Sequence, residues 1–384
     1  MSQKLLAEEL IAQARKSTNL EKFDSDSFRE GLDVLLADLN RHKRPQVSHQ
    51  RLVDSLVLAL ANRLKITDYL EKNPQLLDRP IEKPVFVFGV PRTGTTLLSN
   101  LLAADPARRS PLTWELDDPV PPASAESLYT DPRALARLEM EKKMLAANPQ
   151  AGKYYRNSAI YPNECVYIMS QDFKTLMWES RGELANYRDW LLATDMSSAY
   201  QYHKKVLQVL QAEAPGVWNL KMPSHALWLE TLLKVYPDAR LVWTHRDPLA
   251  ATGSFCSLIS LSHQAFTLGM DREYIGKNCL LQAKEHANRI MGFREKLGED
   301  RVIDVQYSDL MRDPVATMRQ LYSDSGDDFA DSAQQGMQAW LDDNPQNKFG
   351  KHEYKLDQFS LSVSDVKSAF ESYQSRYDVE IEGV

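Results

Sequence analysis

The residues best suited to chemistry lie in the stretch FGVPRTGTTLLSNLL, residues 88–102. Gly89 and Gly94 have the spacing of a phosphate-binding loop, G-x-x-x-x-G-K-[ST], and Thr96 supplies its hydroxyl. The lysine that would reach the β/γ-phosphates of a nucleoside triphosphate is replaced by Thr95, and a cation sits earlier, at Arg92. A glycine loop running from a strand into a helix points successive backbone N–H groups at an anion, with the helix dipole behind them. Thr93, Gly94, Thr95 and Thr96 are therefore candidate anion ligands. Arg92 adds a fixed cation with a planar fork of donors.

A second group lies in LVWTHRDPLAATGSF. Arg246 ends a strand pattern, Asp247 and Pro248 suit the first positions of a helix, and Ser254 follows Arg246 by eight residues. A guanidinium with a hydroxyl suits a phosphate dianion. Lys221, in WNLKMPSH, falls at the carboxyl end of another strand, where open parallel sheets place their ligand crevice. Two residues could take a proton. Glu115, in SPLTWELDDP, lies 23 residues beyond Arg92, after a helix and a short strand, RRSPLTW. His225 lies four residues after Lys221. An imidazole has a suitable ordinary pKa, whereas a carboxylate needs burial to raise its own. His225 also reads as an ordinary residue at a helix start, and His245 as structural.

The elements that must position these residues follow from hydrophobic periodicity. PVFVFGV, VWNLKM, ARLVWTHR and RVIDVQY read as short apolar strands. Helical stretches separate the later ones, the signature of a parallel sheet with covered faces. Residues 1–80 read as helices with apolar faces, as in HQRLVDSLVLALANRLKITDYL, and NPQLLDRPIEKP breaks helix before the first strand. Residues 81–384 then form an α/β domain, with residues 116–210 a mostly helical insertion over the acceptor side. Trp178, Trp190, Tyr154, Tyr155 and Tyr161 of that insertion read mainly as core.

Composition narrows the function classes. With 384 residues, 43% hydrophobic, the chain can bury a large core. A net charge of −7 supplies no global field for nucleic acid and argues against long polyanionic glycans, so an anion site must be locally basic. Cys165, Cys256 and Cys279 form neither a metal pattern nor a disulfide framework, which points to a reducing, cytoplasmic setting. The charged start, MSQKLLAEELIAQARKS, lacks the apolar core of a signal peptide, and no apolar run is long enough to span a bilayer.

FGVPRTGTTLL resembles the 5′-phosphosulfate loop of sulfotransferases that use 3′-phosphoadenosine 5′-phosphosulfate (PAPS). Its Pro-Arg-Thr-Gly-Thr-Thr is similar to the group that includes tyrosylprotein sulfotransferases and many bacterial enzymes. The cytosolic steroid and phenol enzymes usually carry Lys where Arg92 stands. The likeness runs from about Pro84 to the C-terminus, and residues 1–80 resemble the N-terminal extension of bacterial members. It implies a P-loop-like parallel sheet and transfer of a sulfuryl group from PAPS to an acceptor hydroxyl, giving a sulfate ester and adenosine 3′,5′-diphosphate (PAP), with no metal. By that resemblance Arg246 and Ser254 grip the 3′-phosphate, and Tyr307, in VIDVQYSDLMRDP, borders the adenosine. Lys351, in NKFGKHEY, reaches a phosphate from a closing loop. Lys221 approaches the leaving group. Glu115 is the favoured general base, although Trp-Glu-Leu replaces the family's Gly-Glu-[Thr/Ser], and His225 is its rival. The acceptor is expected to be a small or lipid-like alcohol, with a phenol, a sugar and a tyrosyl peptide open. Two other readings stand beside this one: an atypical P-loop kinase, and a non-catalytic nucleotide-binding protein.

Overall fold

The computed structural model describes residues 4–147, 158–345 and 355–382. Five strands, β1 (Val85–Gly89), β2 (Arg108–Arg109), β3 (Val217–Lys221), β4 (Arg240–His245) and β5 (Ile303–Gln306), form one sheet in the order β2-β3-β1-β4-β5. Every pairing is parallel. β1 is buried along its whole length and lies between β3 and β4. The chain leaves β1 toward β2 and leaves the adjacent β4 toward β5, in opposite directions across the sheet, which opens a crevice at the carboxyl ends of β1 and β4. The expected strand RRSPLTW is much shorter than its sequence pattern. Only Arg108–Arg109 pairs with β3, and the chain turns at once into a helix, Thr113–Asp117.

The strand faces are covered by helices, as the apolar runs require. Ser197–Leu210, Pro248–Phe266, Arg272–Leu297 and Val363–Tyr377 all bury apolar side chains. The N-terminal helices Ala7–Thr18, Ser27–Leu39 and Gln46–Lys72 do not stand apart. Leu10, Phe28, Leu56 and Leu64 belong to the same apolar cluster as Phe86 of β1, Leu220 of β3 and Trp243 of β4. A buried cation ties these parts together. Arg63 meets Asp172 at 2.7 Å and Asp24 at 2.8 Å, and lies over the ring of Tyr202. A charge taken so far out of water requires such partners.

A candidate sulfuryl-transfer site

The loop between β1 and the helix Thr95–Ala103 is shaped by two unusual backbone positions. Gly94 has φ +94°, and a Cβ there would stand 2.7 Å from the ring of Tyr307, so only glycine fits. Arg92 has φ +77°, a region costly for a residue with a side chain. That turn carries the Arg92 guanidinium to Ser254, whose Oγ accepts from Nε at 2.9 Å. Thr95 and Thr96 open the helix, where the first N–H groups have no partner within it. Thr93 does not face the crevice through its side chain. Its hydroxyl is buried, bonding to the Val90 carbonyl at 2.8 Å and to Thr244 Oγ1 at 2.6 Å. The Thr93 side chain fastens the loop to β4, which leaves its backbone N–H as the group that could meet an anion.

The second turn, after β4, meets the first. Asp247 caps the helix Pro248–Phe266, accepting from the Leu249 N–H at 2.9 Å. Arg246 donates to the Arg92 carbonyl at 3.0 Å and lies 4.2 Å over the ring of Tyr307. Arg92, Gly94, Thr95, Thr96, Arg246, Ser254 and Tyr307 thus converge on one cavity of about 1280 Å³. That exceeds the roughly 300–1,000 Å³ of a typical single-ligand site, leaving room for two substrates. Arg246 already faces an anion: Glu382 of the C-terminal segment accepts from its Nε at 2.5 Å and its Nη2 at 2.8 Å. The Glu382 N–H in turn bonds to Asp247 at 3.1 Å.

Lys221 ends β3 beside this loop. Its ammonium is buried, 3.5 Å from Thr96 Oγ1 and 2.5 Å from a carboxylate absent from the sequence-based candidates, Glu164. Glu164 lines the cavity. Its segment is pinned to the sheet edge: the Cys165 N–H donates to the Lys221 carbonyl at 2.9 Å and the Asn163 N–H to that of Pro111 at 2.9 Å. No local periodicity or motif marks Glu164 in YPNECVY, because its partner is 57 residues away.

The two expected bases lie elsewhere. Glu115 is buried in the helix Thr113–Asp117 and is not part of the cavity wall. One of its oxygens pairs with Arg109, and the other accepts from the Leu112 N–H at 3.0 Å. With both oxygens so engaged, Glu115 caps a helix and neutralises a buried arginine. His225 is fully buried, its Nδ1 2.9 Å from the Tyr200 hydroxyl and its ring edge-on to Phe86. Burial, reinforced by His203, pushes its pKa well below the usual histidine value. His225 is a neutral core residue. The geometry thus corrects the placement of both Glu115 and His225. His245 has its expected structural setting, bonded to Asp304 at 2.8 Å and Tyr373 at 3.1 Å. Lys351, Tyr154 and Tyr155 lie outside the described residues. Trp178 is core, stacked on Phe173, whereas Tyr161 lines the cavity.

The family model of the sulfotransferase family matches residues 84–331, from the start of β1 to beyond β5. The chain belongs to the sulfotransferase family. Over its whole length it is similar to the crystal structure of sulfotransferase STF9 from Mycobacterium avium, with 39% identity, all of both chains covered and a TM-score of 0.94. Sulfotransferase STF1 from Mycobacterium tuberculosis H37Rv shares 28% identity and a TM-score of 0.86, covering 96% of this chain and 99% of that one. A curated relative from Mycobacterium bovis, omega-hydroxy-beta-dihydromenaquinone-9 sulfotransferase Stf3, is 24% identical over 264 residues, 64% of this chain. The match spans 63% of that relative's length. PAPS is the co-substrate that membership of this family implies. Among the described residues, no helix is long and apolar enough to cross a membrane, and no cluster of His, Cys, Asp or Glu is placed to hold a metal ion.

Proposed function

We propose that this sulfotransferase moves the sulfuryl group of PAPS to the hydroxyl of a small or lipid-like acceptor. The observation that carries the reading is the convergence of Arg92, Arg246 and Ser254 beside the open helix start at Thr95, with Lys221 next to Thr96. Arg92 and the N–H groups of Gly94, Thr95 and Thr96 receive the 5′-phosphosulfate. Arg246 and Ser254 receive the 3′-phosphate, and Tyr307 borders the adenosine. Lys351 stays a candidate phosphate ligand from the adjoining loop.

The acceptor oxygen bonds to sulfur while the bond from sulfur to the bridging oxygen of the 5′-phosphate breaks. Charge grows on that oxygen, and Arg92 and Lys221 are the cations placed to stabilise it. The acceptor proton needs a base on the cavity wall. We assign this part to Glu164, which stands against Lys221, rather than to Glu115 or His225. A lipid-like acceptor is supported by the activity named for the curated mycobacterial relative. Three unpaired, buried cysteines support work in a reducing compartment such as the cytoplasm.

The direct test combines titration calorimetry with turnover of labelled PAPS. Binding of 3′,5′-diphosphate, weaker binding of 5′-AMP and no gain with ATP plus Mg²⁺ are the expected results. Preference for ATP plus Mg²⁺ would favour a kinase. Tight 3′,5′-diphosphate binding with no turnover across an acceptor screen would favour a non-catalytic nucleotide-binding protein.

A further inference from the structure

Part of the cavity wall is polar in a way the donor site does not use. Glu179, Gln282 and His286 all line the cavity, and all are buried. Around them the wall is apolar: Leu176 and Met177 adjoin Glu179, while Phe255, Leu258 and Ile259 continue along the helix that bears Ser254. Gln282 Nε2 donates to Glu179 at 2.9 Å, and His286 Nδ1 donates to the main-chain carbonyl of Gln282, one helical turn earlier, at 2.6 Å. Asn278 also donates to Glu179, at 2.7 Å, and the Tyr274 hydroxyl approaches it at 3.4 Å. None of these groups shares a hydrogen bond with Lys221, Glu164 or Thr96.

His286 itself has an unmet atom. A carbonyl only accepts, so His286 Nδ1 carries the hydrogen and Nε2 offers a lone pair. Among the described residues, His286 Nε2 has no partner, although the residue is only 1% exposed. Burial holds the imidazole neutral, with its pKa lowered to about 4. Glu179, likewise, has no ion pair among the described residues; its hydrogen-bond donors are neutral, and the Arg188 charge reaches it only from beyond Asn278. A buried acceptor without a donor is costly, and native interiors rarely leave one. An apolar wall that ends in hydrogen-bond acceptors is complementary to a ligand with an apolar body and a donor group.

We propose that His286 is a specificity determinant: the acceptor carries, besides the hydroxyl that is sulfated, a second hydrogen-bond donor, a hydroxyl or an amine, which His286 Nε2 receives. The main-chain carbonyl of Gln282 holds the imidazole in the tautomer that leaves Nε2 open. The inference rests on the sulfuryl-transfer reading, since that reading assigns the rest of the cavity to the donor and the reacting hydroxyl. It adds that the acceptor has two polar ends rather than one. A site built around such a hydrogen bond discriminates strongly against an analogue that leaves its polar group unpaired.

The test uses 1,10-decanediol and 1-decanol as matched probes on the full chain. Binding is followed by calorimetry, with and without saturating 3′,5′-diphosphate. The diol should bind about tenfold more tightly than the mono-alcohol. His286→Leu should bring the ratio near one, and His286→Gln, whose amide oxygen can still accept, should keep it. In wild-type protein labelled with ¹⁵N-histidine, the Nε2 resonance of His286 should move with the diol and stay with the mono-alcohol. A ratio near one in the wild type, an unchanged ratio in His286→Leu, or a resonance indifferent to the diol would each overturn the proposal. The spectroscopic arm decides even if a variant fails to fold. Failure of the transfer reading is seen separately, as absence of 3′,5′-diphosphate binding, and leaves the comparison of probes on the protein alone intact.

Discussion

At the donor end of the cavity, the groups that meet come from two strand–helix turns, after β1 and after β4, and each turn is a contiguous run of sequence. Elsewhere on the wall, Glu164, Glu179 and His286 come from three separate segments; Glu164 and Glu179 are held by side chains 57 and 99 residues away, and His286 by a carbonyl of its own helix. The first kind of site is set mainly by backbone. Gly94 cannot carry a side chain beneath Tyr307, and the helix start at Thr95 presents its N–H groups whatever the side chains are. The second kind is set by packing, so any part of it can change without disturbing a motif. A constant donor and variable acceptors call for this division.

The contrast is sharpest between two glutamates, and the largest effect should come from separating them. Glu164→Gln should lower turnover about 10²- to 10⁴-fold in a protein that still folds and binds 3′,5′-diphosphate, since the amide oxygen can still accept from Lys221. Glu115→Ala should instead destabilise the fold by about 3–5 kcal/mol in chemical denaturation, because it strands Arg109 in the core. Loss of turnover in a stably folded Glu115 variant, with Glu164→Gln near normal, would return the base to Glu115. A series of increasingly acidic phenols adds a control. The Glu164→Gln defect should shrink along it, since an ionised acceptor needs no base.

Glu179 offers a second comparison, between a buried carboxylate and the solvated ones. Burial raises its pKa from the ordinary glutamate value of 4.5 to about 7. At pH 4 it is protonated in both the folded and the unfolded chain. As pH rises from 4.5 to 7 the unfolded chain ionises first, so stability is lost across that window, by about 3 kcal/mol in total. Glu179→Gln should flatten this part of the stability–pH curve, measured by urea denaturation. An unchanged slope would mean that another group carries it.

Within the donor end, Arg246→Ala and Ser254→Ala should weaken 3′,5′-diphosphate more than 5′-AMP, by about 1.5–3 kcal/mol for the arginine. Equal losses for both nucleotides would remove the 3′-phosphate assignment. The smallest effect belongs to Glu382, which rests against Arg246. Glu382→Gln relieves Arg246 of a competing anion and should tighten 3′,5′-diphosphate binding by up to about 1 kcal/mol, a gain that fades in high salt. Weaker binding would instead show that Glu382 orients the guanidinium.

The same division explains what could be read before the structure. PVFVFGV, VWNLKM, ARLVWTHR and RVIDVQY all became strands of the parallel sheet; the first three are buried apolar runs, and the last is an edge strand in which only Val305 is buried. Arg92, Gly94, Thr95, Thr96, Arg246, Ser254 and Tyr307 met as their motifs implied. RRSPLTW was misleading because, past Arg109, it supplies a helix cap rather than a ladder. Glu164 was invisible because its pairing with Lys221 arises only where two distant segments are pinned by a backbone bond. Glu382 approaches Arg246 across 136 residues of chain, and no local rule reaches that far.

Arg63 carries one more consequence. It lies in the N-terminal helices, outside the segment 84–331 by which the family is recognised, yet its guanidinium neutralises Asp172, which lies inside that segment and is fully buried. A protein begun at residue 84 would keep every recognisable motif, but Asp172 would lose its Arg63 partner and be left with Lys174 at 3.8 Å, and an apolar face would be stripped of its cover. Homology and autonomy therefore have different borders here. The stretch that evolution makes easiest to identify is smaller than the piece of chain that can stand in water by itself.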